Sequence, residues 1–148
     1  MSMTNEELKS SGPVTETSSF SEQINPLLTG LFYPGESDEP VEPVTCYLDQ
    51  PELLTNSQIR DWLMLSTSVC VAEMAEAEFW EPVITEQDWY GDDEKTRTHQ
   101  FQQLKKRLED TLTERQVFRV GDAEIDVYLL GRQADGTRTG IKTMIVQT

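Results

Sequence analysis

Phe101, Leu104, Leu108 and Leu112 follow one another at intervals of three, four and four residues. That repeat gathers side chains on one face of an α-helix. It predicts an amphipathic helix from Asp92 or Asp93 to Leu112. Asp92, Asp93 and Glu94 lead it, and Lys105, Lys106 and Arg107 come later, an order that complements the helix dipole. Past Leu112 the period drops to two. QVFRVG (116–121) precedes DAEIDVYLLG (122–131), where Ile125, Val127 and Leu129 alternate with Asp126, Tyr128 and Leu130. Gly121-Asp122 and ADGTRTG (134–140) carry turn residues, and GIKTMIVQT (140–148) closes an antiparallel meander. Thr148 is expected close to an ordered sheet edge.

Upstream the pattern is shorter in range. Phe20, Ile24, Leu27, Leu28 and Leu31 have helical spacing after Ser19 or Ser21 as N-cap, but Pro26 predicts a short or kinked helix. PGESDEPVEP (34–43) holds three prolines and four acids; it predicts a stiff acidic loop, neither a central strand nor a helix. VTCYLD (44–49) reads as a strand. SQIRDWLMLS (57–66) reads as a helix capped by Asn56 or Ser57. SVCVAEMA (68–75) reads as a strand, and EAEFWEPVI (76–84) as a helical turn that stops at Pro82. Helices before, within and ahead of the meander predict an α+β fold with helices on both faces of the sheet.

Composition narrows the function. The 148-residue chain has a net charge of −15, unevenly spread. Residues 1–94 hold 20 Asp/Glu against 2 Lys/Arg, a net of −18; residues 95–148 hold 7 against 10, a net of +3. Such a field repels nucleic acid and anionic membrane and draws basic partners. Residues 1–18 are rich in Ser, Thr and Glu and read as a flexible tail before a domain at 19–148. They lack the basic and apolar regions of a secretory signal, so a reducing, cytoplasmic setting is expected. Cys46 and Cys70 are expected to behave as small buried hydrophobes rather than as a disulfide.

The chain carries no G-x-S-x-G, H-E-x-x-H or phosphate-loop motif. A Cys–His dyad would need His99, which lies off the helix stripe and is expected exposed. The acids of 36–42 and 88–94 have no EF-hand spacing, and a solvated acidic face is the simpler reading. An enzyme is therefore not expected. What remains is a binding surface built from the 34–43 loop, the 85–94 loop and the α-carboxylate of Thr148. In TEQDWYGDDEKT (85–96), Asp92 and Asp93 belong to the helix start. That leaves Asp88 and Trp89 for display, with Tyr90 turned inward.

The segment EQDWYGDDE…FQQLKKRLEDTL…QVFRVGDAEIDVYLLGRQADGTRTGIKTMIVQT (86–148) closely resembles the nuclease A inhibitor family. GLFYPGESDEPVE (30–42) is also similar, VAEMAEAEFWEPV (71–83) less so, and 44–66 aligns poorly. The resemblance implies a three-layer α-β-α sandwich with a mainly antiparallel sheet and a C-terminal β-meander. It implies an inhibitor of a sugar-non-specific, Mg-dependent endonuclease that acts as a monomer, binds 1:1, and contacts neither nucleic acid nor membrane. No cofactor is implied. Glu36, Asp88, Trp89 and Thr148 match the family's partner-binding positions, with Thr148 reaching the partner's metal. One extra residue in YPGES could move the first match to Asp38. The alternative is an acidic module of the same fold that binds another basic, nucleic-acid-binding protein.

Overall fold

The computed structural model of the chain describes residues 20–34, 36–48, 50 and 52–146. Three long strands form its centre: β5 (Thr113–Val120), β6 (Glu124–Arg132) and β7 (Arg138–Val146). They are the predicted meander. β5 begins earlier than its alternation suggested, because a register shift between Thr113 and Gln116 admits extra residues, with Glu114 at φ +51°. Gly121, at φ +108°, makes the β5–β6 turn, where a Cβ would lie 2.5 Å from the Glu124 carbonyl oxygen.

Two shorter strands complete the sheet. β3 (Glu42–Cys46) pairs with β7, and β4 (Val71–Met74) pairs with β5. The order is β3-β7-β6-β5-β4, antiparallel throughout. β3 starts inside the stretch expected to be loop. Pro43 fits there because β3 is an edge strand and one side of its backbone needs no donor. Asp49, in the expected 44–49 strand, lies outside the described residues. A separate two-stranded ladder joins β1 (Phe32–Tyr33) to β2 (Glu39–Pro40).

Alternation along the strands builds two cores. Val117, Ile125, Val127, Leu129 and Ile141 face α1 (Phe20–Leu28), α3 (Glu76–Ile84) and α4 (Asp92–Thr111). Phe118, Val120, Tyr128 and Leu130 face α2 (Asn56–Trp62), with Cys46, Leu54 and Ile59. The result is helices on both faces of an antiparallel sheet. The α4 stripe is as predicted: Phe101, Leu104, Leu108 and Leu112 are all buried. Burying each side chain of this size contributes roughly 1.5–3 kcal/mol.

Several local expectations are corrected. α3 does not stop at Pro82 but runs on to Ile84. A proline there forfeits one backbone bond at about 3 kcal/mol, yet α3 also buries Phe79, Trp80 and Val83, which offsets it. Trp80 Nε1 donates to Glu76 at 2.9 Å, and Arg115 Nε donates to the same carboxylate at 2.9 Å, tying α3 to β5. α2 is capped by Thr55, not Asn56 or Ser57. The Gln58 amide N–H donates to the Thr55 hydroxyl at 3.2 Å, and the Thr55 N–H donates to Gln58 Oε1 at 3.0 Å, a capping box. Cys46 is buried as expected, but Cys70 is exposed; both are free thiols.

The 47–55 segment, which shows little periodicity, is held by two side chains from the sheet. Arg138 is fully buried; its Nε donates to Leu48 O at 3.0 Å, and Nη2 to Gln50 O at 2.9 Å and Glu52 O at 3.1 Å. Gln116 matches the backbone of Leu54 with two bonds of 2.9 Å, one accepted and one donated. Among the described residues, no helix is long and apolar enough to cross a membrane.

Candidate functional site

β3 pairs with β7 from Cys46↔Arg138 to Glu42↔Lys142. Beyond Lys142 the acidic segment after β1 takes over as the neighbour of β7. The Thr143 hydroxyl donates to Pro40 O at 3.0 Å, and the Glu36 N–H donates to Val146 O at 3.3 Å. The first acidic loop is thereby fastened to the end of the final strand. Glu36 and Asp38 are both exposed, and the Ser37 hydroxyl donates to the Glu39 carboxylate within the loop. Thr148 and Gln147 lie outside the described residues, directly after Val146.

Tyr33 anchors the loop from below. Its ring stacks on Phe79 at 5.1 Å and meets Phe101 edge-on at 5.9 Å, and its hydroxyl donates to Phe79 O at 2.6 Å. Burial pushes the Tyr33 phenol up to about 12. The loop's base is therefore locked to α3 while its acids stay in water.

Asp88 and Trp89 sit in the loop between α3 and α4. A turn closed by the Tyr90 N–H donating to Gln87 O at 3.1 Å presents them. Asp88 is exposed, and Trp89 is 74% exposed, far outside the range of a core indole. Tyr90 is half-buried, its ring edge-on to Trp89 at 4.6 Å. α4 then follows its N-cap Gly91, whose N–H donates to Glu94 Oε1 at 3.0 Å, with Asp92 and Asp93 in the first turn. The acids of this stretch thus divide as its sequence suggests, between helix start and display.

α3 is the physical link between the two loops. The 85–91 loop leaves from its end, and its Pro82 lines a groove of about 480 Å³ together with Tyr33, Met74, Ile145, Val146 and Glu36. Glu78, which also lines this groove, was not singled out in the sequence, where it sits inside a short helical turn with no motif to mark it. Among the described residues, no cluster of three or more His, Cys, Asp or Glu could hold a metal ion. His99 is exposed and lies 3.8 Å from Glu86, a surface contact.

No curated protein matches the chain. The family model for nuclease A inhibitor-like proteins matches residues 18–148, nearly the whole length. The chain belongs to the nuclease A inhibitor-like protein family.

Proposed function

We propose that this protein inhibits a sugar-non-specific, metal-dependent endonuclease by covering its active site. The observation that carries the reading is the bond from the Glu36 N–H to Val146 O. It holds the backbone of an exposed acid against Val146, the last residue of β7 and two positions before Thr148 in the sequence. Family membership supports the inhibitor class.

In this reading each surface group replaces something the nuclease expects from nucleic acid. A catalytic Mg²⁺ keeps positions open for water and phosphate oxygens. The Thr148 carboxylate, with its hydroxyl, offers hard oxygen ligands in their place, in the complex only. Glu36 and Asp88 meet the Arg or Lys that normally clamp phosphate. Trp89, held out by its turn, is an aromatic anchor for an apolar or cationic patch. The −18 of residues 1–94 speeds encounter with a basic enzyme and makes that rate fall with salt. The protein acts as a cytoplasmic monomer, 1:1 with the nuclease, with residues 1–18 as a tail outside the inhibitory domain, and needs no cofactor.

The charge asymmetry alone also supports a binding module for another basic, nucleic-acid-binding protein, which would not need Thr148. Titrating a sugar-non-specific endonuclease with the wild-type chain separates the two. Stoichiometric loss of DNA digestion is expected of an inhibitor. Undiminished digestion, with capture of other basic proteins, would favour the module.

A further inference from the structure

The groove beside β7 is lined by Glu36, one of the four matched positions, and by groups that none of the four supplies. Its lining is apolar at Met74, Pro82 and Ile145, with two carboxylates from separate elements, Glu36 in the acidic loop and Glu78 on α3. Among the described residues, Arg119, from β5, is the one cation that lines it. Glu78 and Pro82 are one turn apart on α3 and both line the groove.

An alkyl stem ending in a planar cation complements this lining. The stem covers Met74, Pro82 and Ile145, and the head donates to the Glu78 carboxylate. Arg119 repels a cation from the sheet side, which directs the head toward α3 and the loop. We propose that this groove is a receptor for an arginine side chain of a basic protein partner, with Glu78 as a recognition residue. The inference rests on the proposed function only for the source of the arginine.

The test uses n-butylguanidinium, an arginine side chain without its backbone, followed by NMR of the methyl groups of the full chain. Saturable shifts at Met74, Ile145 and Val146 are expected, with a dissociation constant in the millimolar range. Glu78→Lys, on an exposed helix position, should fold normally and bind at least tenfold more weakly; n-butanol should produce no saturable shift. Equal shifts with n-butanol, shifts at other methyls, or an unchanged constant in Glu78→Lys would overturn the proposal. A chain that binds the probe but inhibits no nuclease refutes the inhibitor reading alone. One that inhibits but ignores the probe refutes the groove alone.

Discussion

The Glu36 N–H donates to Val146 O at 3.3 Å, which bonds the backbone of the first acidic loop to the end of the last strand. The bond uses backbone atoms and leaves the Glu36 carboxylate exposed. Replacing the side chain leaves this backbone bond in place. Glu36→Ala is expected to weaken nuclease binding by about 1.5–3 kcal/mol, the usual worth of a charged hydrogen bond, with stability unchanged within about 0.5 kcal/mol. Asp38→Ala should leave binding nearly intact. Isothermal titration of both variants decides which acid is used; the reverse ranking would move the role to Asp38.

Trp89 is held in water by a turn and one edge-on contact to Tyr90. Trp89→Ala removes no core packing, so its melting temperature should match the wild type. Binding to the nuclease should weaken by about 2 kcal/mol or more, the range of an interface hot spot. A large fall in melting temperature would instead show a structural role.

Much of this was legible beforehand, and the misses have physical causes. The α4 stripe and the strand alternation were readable because each spans enough residues for its period to stand out. Short elements were harder. Thr55 and Gln58 have capping-box spacing, yet the nearer Asn56 and Ser57 are equally good cap types. Pro82 misled because the burial of Trp80 and Val83 was not visible to local propensity. Cys70 is exposed although its type favours burial. Exposure at Asp88 and Trp89 was inferred once Asp92 and Asp93 were assigned to the helix. The proximity of Glu36 to the β7 end needed long-range pairing that no local pattern encodes.

Arg138 should matter to stability alone. Its guanidinium is fully buried and serves three carbonyls of the 48–52 segment, on the sheet face that packs against α2. Burial pulls its pKa down, but it retains its charge at neutral pH. Arg138→Ala strands those carbonyls and leaves a void, at a cost of about 3 kcal/mol or more. Urea denaturation reads this directly. A cost below about 1 kcal/mol would mean that water replaces the guanidinium freely.

Alkaline pH should weaken the fold through Tyr33. Its phenol ionises near about 12 in the folded protein, above the ordinary 10 of the unfolded chain. Between those values the unfolded state loses the proton first. Stability is therefore full below pH 10 and declines as the pH rises toward 12. Tyr128, also pushed up to about 12, first by burial and then by Asp126, adds in the same direction. Tyr33→Phe should flatten part of the decline in melting temperature over that window. An unchanged slope would show that Tyr33 does not carry it.

The central claim is that the carboxylate of Thr148 binds the nuclease's metal. The most direct measurement is inhibition of a sugar-non-specific endonuclease by three forms: wild type, Thr148 deleted, and wild type with a short uncharged extension after Thr148. All three should share one melting temperature, because the change falls after Val146, where β7 ends among the described residues. Wild type should inhibit stoichiometrically, and both altered forms should lose at least a hundredfold in affinity. Equal inhibition by the extended chain would contradict the account.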